Sequence, residues 1–284
     1  MKKFDYYQPD NLGQAFKLKE KSGENAKYIA GGTDLIIRIK QKAVQPDALI
    51  SLRRIDSLKG FEENGNISIG SMTLFRDMER NELLKKACPA LVEAVRVLAN
   101  PQVRNVATPG GNISNAAPSA DCAPPLLVMD ATVTVAGPGG ERDIPIEDFF
   151  LGPGKTRMDP TEIVTRIMIP KTPAGTGMAF LKMGRVTQDI ALANVAVLLV
   201  MEGETCRKCR VAAGAVAPVP LRLHTVETLL EGRNIKKDLT EEAGRRASAE
   251  VQPITDVRST EEYRRQVSGT LVKRAIEAAV KRVS

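Results

Sequence analysis

One histidine, no tryptophan and an aromatic content of 4% are the scarcities that constrain this sequence first. With His224 alone, neither a histidine-rich zinc site nor a two-histidine iron site can be assembled within the chain. His224 stands in Pro220-Leu-Arg-Leu-His-Thr-Val-Glu227, which reads as a helix entry, so a solvent-facing or capping role is expected. Long apolar runs are also missing. The longest, Ile190 to Met201, is interrupted by Asn194 and falls short of the about 20 residues of a membrane span. No apolar stretch follows Met1-Lys-Lys-Phe-Asp5, so no secretory leader is expected.

Cysteine is limited to positions 88, 122, 206 and 209, which suits a reducing cytoplasm better than a disulfide scaffold. Cys206 and Cys209 form a Cys-x-x-Cys in the return arm of an expected hairpin. Residues three apart on a regular strand face opposite ways, so the two thiols are expected to diverge. An iron–sulfur cluster would need the other two cysteines as well, and these lie far away in sequence. No metal is expected. Phosphate motifs are equally sparse: no Gly-x-Gly-x-x-Gly occurs, so a Rossmann dinucleotide site has no support. Gly152-Pro-Gly-Lys-Thr156 imitates the end of a phosphate loop, but Phe149 stands where that pattern needs glycine. Pro153 also removes a backbone N–H, so a turn between two elements is the better reading.

What is present describes a folded chain. Hydrophobic residues make up 43% and charged residues 26% of 284 positions, which excludes general disorder. Lys and Arg number 41 against 34 Asp and Glu, a net charge of +7, but the cations are spread along the chain. Without aromatic stacking stretches among them, no nucleic-acid partner is expected. Periodicity predicts a helix over 11–21, a strand at 27–30, a helix carrying Leu35, Ile36 and Ile39, and a strand at 48–52. A strand at 66–70, a helix from Leu74 capped by Thr73, and a helix over 89–99 follow. Residues 108–121 read as an irregular connection. Further strands are expected at 131–136, 163–169, 178–183, 192–201 and 206–213, with a linker at 170–177 and a last helix over 260–283.

Two glycine turns carry the chemistry. Ala30-Gly-Gly-Thr-Asp34 follows a strand and precedes a helix, an arrangement that offers free N–H groups and a helix dipole to a pyrophosphate. Thr108-Pro-Gly-Gly-Asn112 could supply the same chemistry from another direction. Together with Asn100-Pro-Gln-Val-Arg104, Asn115-Ala-Ala-Pro-Ser-Ala-Asp121, Phe149-Phe-Leu-Gly-Pro-Gly154 and Ala212-Ala-Gly-Ala-Val-Ala-Pro218, these turns give the chain a specific likeness. The sequence resembles the FAD-binding medium subunit of the molybdenum hydroxylases, the xanthine dehydrogenase and carbon monoxide dehydrogenase type, over essentially its whole length.

That resemblance implies an α+β architecture: a two-subdomain FAD-binding domain of the PCMH/VAO type over 1–174, with subdomains at about 1–56 and 57–174. A C-terminal α/β domain of antiparallel sheet plus helices, the carbon monoxide dehydrogenase flavoprotein type, is implied over 175–284. Non-covalent FAD would contact Ala30, Gly31, Gly32, Thr33, Asp34 and Leu35 in the first turn, and Thr108, Gly110, Gly111 and Asn112 in the second. Asp121 matches an acidic residue near the flavin or its ribityl chain, and Lys182 a basic residue close to the isoalloxazine. Leu98 falls where larger relatives place an aromatic against the ring. Pro109 departs from the pattern because it cannot donate to phosphate.

The implied role is electron transfer in the cytoplasm. Electrons would arrive from a [2Fe–2S] small subunit, beside a molybdenum cofactor-binding large subunit, and leave to an external acceptor. A dimer of heterotrimers is the expected assembly. No catalytic residue is assigned, because the flavin carries the redox chemistry. A self-sufficient FAD oxidoreductase of the same flavin fold and a non-catalytic scaffold subunit are the alternatives.

Overall fold

A computed structural model describes residues 2–283. The N-terminal part builds β1 (Asp5–Tyr7), α1 (Leu12–Ser22), β2 (Lys27–Ile29), α2 (Leu35–Lys40) and β3 (Ala48–Ser51). The three strands form a parallel sheet in the order β1-β3-β2. Its central strand, Ala-Leu-Ile-Ser, is buried at every position, as the middle of a covered parallel sheet must be. Helix α1 starts where the Asn11 side chain accepts the Gln14 N–H, and stops at Gly23 with φ +76°.

The central part runs β4 (Phe61–Asn64), β5 (Asn66–Gly70), α3 (Phe75–Arg80), α4 (Glu82–Ala87), α5 (Pro89–Arg96), α6 (Pro101–Arg104), α7 (Pro109–Ser114) and α8 (Ala123–Val128). It continues with β6 (Thr132–Gly137), β7 (Gly140–Pro145), α9 (Ile146–Phe149), the short hairpin β8 (Phe150–Gly152) and β9 (Lys155–Thr156), and β10 (Ile163–Ile169). Its antiparallel sheet has the order β4-β5-β10-β6-β7. The imitation phosphate loop at 152–156 is the turn of the β8–β9 hairpin.

The C-terminal part is a second antiparallel sheet, β11 (Thr176–Met183), β12 (Ala193–Glu202), β13 (Thr205–Gly214) and β14 (Leu221–Arg222), with helices α10 (His224–Leu230), α11 (Lys237–Glu250) and α12 (Glu261–Val280). Alternate residues of this sheet serve two cores. Phe180, Ala196, Leu198 and Ala212 join the core of α3 to α8 and the central sheet. Val195, Val197, Leu199 and Val211 pack instead with α10, α11 and α12. Being covered on both faces explains why β12 reads as a near-continuous apolar run. No described helix is long and apolar enough to cross a membrane.

Several local expectations are corrected. Thr73 does not cap a helix: its hydroxyl exchanges hydrogen bonds with the backbone of Gly60, and α3 begins at Phe75. Helix α5 stops at Arg96, and the stretch read as irregular contains α7, which Thr108 caps. On α12, Val267, Leu271, Ala275, Ile276 and Ala279 are buried, whereas Tyr263 is exposed. The two thiols of the Cys-x-x-Cys do not diverge. Val200 pairs with Lys208 but Met201 pairs with Cys206, so Arg207 is an extra residue in a β-bulge. The bulge resets the alternation and places Cys206 and Cys209, both fully buried, in the same core.

Candidate functional site

The first glycine turn joins β2 to α2. Ile36 N–H bonds Gly32 O and Arg38 N–H bonds Asp34 O, so the helix's own hydrogen bonding begins at the Ile36 N–H. The backbone N–H groups of Gly31, Gly32, Thr33, Asp34 and Leu35 have no acceptor among the described residues. Five consecutive free donors at a helix start form a nest for an anion. Gly32 sits at φ +75°, and a Cβ on Gly31 would lie 2.1 Å from Val106 O and 2.9 Å from Ala107 Cα. Glycine is therefore required at 31 for close approach and at 32 for conformation.

The second turn is closed rather than open. Gly110 N–H donates to Ser71 O at 3.0 Å, Gly111 N–H to Thr108 Oγ1 at 3.1 Å, and Asn112 N–H to Thr108 O at 3.0 Å. Its N–H groups are committed, so it does not repeat the donor chemistry of the first turn. Pro109 occupies the first position of α7, where an N–H has no intrahelical partner, and costs the helix nothing. This turn packs instead. A Cβ on Gly110 would meet Ser71 Cβ at 2.6 Å, and one on Gly111 would meet Ala30 Cβ at 3.4 Å. Ala30 and Gly31 thus lie against the 106–111 segment, and the two turns form one wall. Ser71 Oγ and Asn112 Oδ1 are buried there without a hydrogen-bond partner.

A second cluster joins Asp121 and Lys182, with Leu98 next in sequence to Val97, whose carbonyl Lys182 reaches. Leu98 follows α5 and is 8% exposed; its carbonyl accepts from Arg104 at 3.0 Å, while Arg104 also pairs with Glu79 at 3.1 Å. Asn100 caps α6 by accepting Val103 N–H, and Ala99 between them takes φ +45°, a strained value for alanine. Lys182 Nζ lies 2.6 Å from Asp121 Oδ2 and 3.3 Å from Val97 O, with both charged side chains buried. The lysine is thus not a free cation but half of a buried ion pair. Asn194 Nδ2 donates to the other carboxylate oxygen, Asp121 Oδ1, at 2.8 Å. Burial pushes the Asp121 carboxyl above its ordinary value, opposed by Lys182 and Asn194. Burial likewise raises the neighbouring Cys122 thiol.

The expected residues therefore fall into two groups. Ala30, Gly31, Thr108, Gly110, Gly111 and Asn112 form the first, with Thr33, Asp34 and Leu35 at the start of α2; Asp34 is exposed. Sequence reasoning missed Ser71, Val106 and Asn194. Only Asn194 carried a signal, as the one polar residue inside the longest apolar run. His224 is surface-exposed, tied to Glu147 at 3.2 Å and Glu227 at 3.3 Å, in neither group. No group of three or more His, Cys, Asp or Glu that could hold a metal occurs among the described residues.

An α+β chain with a nest of free N–H donors braced by a second glycine turn, and no Rossmann motif, is a protein of a non-Rossmann class with a site suited to an anion. Comparison with known proteins identifies which one. Residues 2–172 match the FAD binding domain in molybdopterin dehydrogenase, and residues 178–279 match the CO dehydrogenase flavoprotein C-terminal domain. The chain is 35% identical to the carbon monoxide dehydrogenase medium chain of Hydrogenophaga pseudoflava, covering 98% of this chain and 97% of that one. It is 31% identical to the xanthine dehydrogenase FAD-binding subunit of Escherichia coli O157:H7, over 97% and 95% of the two chains. A solved carbon monoxide dehydrogenase from Hydrogenophaga pseudoflava superposes with a TM-score of 0.96 at 35% identity, over 99% of both chains. The chain belongs to the FAD-binding medium subunits of the molybdenum hydroxylases. Its residues fit that cofactor: the five free donors suit a pyrophosphate, and Ser71 Oγ and Asn112 Oδ1 are buried polar atoms in want of a partner.

Proposed function

We propose that this chain is the flavoprotein subunit of a heteromeric molybdenum hydroxylase, working with a molybdenum cofactor-binding large subunit and a [2Fe–2S] small subunit. FAD, when bound, supplies the redox chemistry, taking electrons from the iron–sulfur centre and delivering them to an external acceptor. The protein's own share is binding and electrostatics. Gly31 to Leu35 direct five backbone donors at the pyrophosphate, and this row is the observation that carries the reading. Thr108 to Asn112 brace that row, with Asn112 Oδ1 and Ser71 Oγ buried behind it without a partner. Leu98, Asp121 and Lys182 form the isoalloxazine end, where an aliphatic contact and a neutral ion pair replace a bare cation.

Residues 1–174 act as the FAD-binding domain, in subdomains of about 1–56 and 57–174, and 175–284 as the C-terminal flavoprotein domain. The separation of sheets supports this division. The assembly we infer is a cytoplasmic dimer of heterotrimers; the medium-chain relatives support its heteromeric character, and the free cysteines a reducing compartment. The test is direct. The purified chain should carry about one FAD per chain by its visible spectrum, pass electrons to an artificial acceptor, and oxidise no hydroxylase substrate until its partners are supplied. A colourless chain that cannot be reconstituted with FAD, or substrate oxidation by the isolated chain, would overturn the reading.

A further inference from the structure

Asn194 is fully buried at the start of β12, in a strand whose neighbouring positions are apolar on both faces. It sits in one cross-strand row: Lys182 of β11 pairs with Asn194, and Asn194 pairs with Gly214 of β13. Gly214 leaves the space for the amide, since a Cβ there would lie 2.3 Å from Asn194 Oδ1. Asn194 Oδ1 itself has no hydrogen-bond partner, so the amide does not satisfy its own polar atoms at this position. An apolar side chain would serve β12 better. What the amide does is donate to Asp121 Oδ1 at 2.8 Å, while Lys182 Nζ holds Asp121 Oδ2 at 2.6 Å.

We propose that Asn194 is a positioning residue, which holds the Asp121 carboxylate ionised and turned toward Lys182 so that the flavin meets a charge-neutral pair. The inference rests on the reading of Asp121 and Lys182 as flavin-side residues. A carboxylate buried with a single donor pays a desolvation cost that the second hydrogen bond offsets. The groups facing Asp121 are few: Lys182 from β11, Asn194 from β12 and the adjacent Cys122 thiol. Farther along the same seam, Glu93 of α5 accepts Phe180 N–H and pairs with Arg282 at 2.7 Å. Without Asn194, Asp121 takes up a proton at a higher pH, and below that pH Lys182 stands uncompensated.

The experiment is redox potentiometry of the FAD-loaded chain across the neutral pH range, with FAD stoichiometry and circular dichroism as folding checks. Asn194→Leu should bind FAD and show the Asp121 inflection in the potential-against-pH curve moved to higher pH by about one unit or more, a tenfold change in proton affinity. Asn194→Ser, too short to reach the carboxylate and smaller than the native side chain, should do the same and carries the test if Asn194→Leu does not fold. Asp121→Asn should shift the potential and remove the inflection, and Asp121→Asn/Asn194→Leu should match Asp121→Asn alone. Wild-type pH profiles in both Asn194 variants, with Asp121→Asn shifted, would overturn the role of Asn194 and leave the flavin-side reading standing. An unchanged potential in both Asp121→Asn and Lys182→Met would instead overturn that reading, and this inference with it.

Discussion

Gly31 and Gly111 stand on facing turns, yet they answer to different constraints. A methyl on Gly31 meets Val106 O at 2.1 Å, and that carbonyl is backbone, which cannot swing aside. Gly31→Ala should therefore part the two turns, cost about 1–3 kcal/mol of stability and weaken FAD binding by about tenfold or more. A methyl on Gly111 meets nothing closer than Thr108 Oγ1 at 3.2 Å and Ala30 Cβ at 3.4 Å, contacts that small shifts accommodate. Gly111→Ala should keep its fold and its FAD within a few-fold. Fluorescence titration with FAD alongside thermal melts separates the two, and equal behaviour of both variants would contradict this account. The glycine pairs were visible in the sequence because each stands directly before an expected change of element, where glycine permits close approach and positive φ. Val106 and Ser71 were not, because they act through backbone atoms and through contacts brought in from distant segments.

At the scale of elements, one inserted residue changes what a motif means. The strand rule sends Cys206 and Cys209 to opposite faces, and Arg207, bulged out between Val200 and Met201 of the partner strand, cancels it. Nothing in Thr205-Cys-Arg-Lys-Cys-Arg announces a bulge, since register is settled by pairing with β12 and not by local composition. Both thiols are sealed in, as are Cys88 and Cys122. Burial pushes the Cys88 thiol up to about 12 and Cys122 higher still. For Cys209 the hydrogen bond with Cys206, then burial, raises the thiol; the same bond lowers Cys206, against its burial. The native protein should therefore show essentially no thiol reactive to an aromatic disulfide reagent, and all four after denaturation. Rapid modification of any one in the native state would contradict the buried arrangement. The same lesson applies to α7, a helix in a stretch rich in Gly, Asn and Pro: Thr108 and Pro109 were legible start signals, but composition outweighed them in the reading.

For the molecule as a whole, strand order was the least legible feature. Alternation marks a strand's two faces but not its neighbours, so the return of β10 between β5 and β6 could not be read. The seam between the central and C-terminal parts is likewise tertiary. Arg222, 5% exposed, makes a bidentate pair with buried Glu227 at 2.6 and 2.8 Å, and reaches Asp130 at 3.1 Å. Arg222→Leu leaves Glu227 buried without its cation and should cost about 3–5 kcal/mol in denaturant unfolding. Asp130 belongs to the central part, and Lys208, Arg210 and Arg222, which surround it, belong to the C-terminal sheet. Burial opposes its ionisation, but the hydrogen bond from Lys208 and the three positive charges outweigh that and hold its carboxyl below the ordinary 3.8. A carboxylate whose folded value is depressed contributes stability that is complete above the unfolded value and lost as pH falls through the folded one. The seam should accordingly weaken as the solution is acidified below about 3.8. Asp130→Asn should be less stable than the native chain at neutral pH and should show a shallower fall of stability with acidification. Parallel stability–pH curves for the two proteins would place the acid sensitivity elsewhere, with Glu162, which Arg142 holds low, as the next carboxylate to replace.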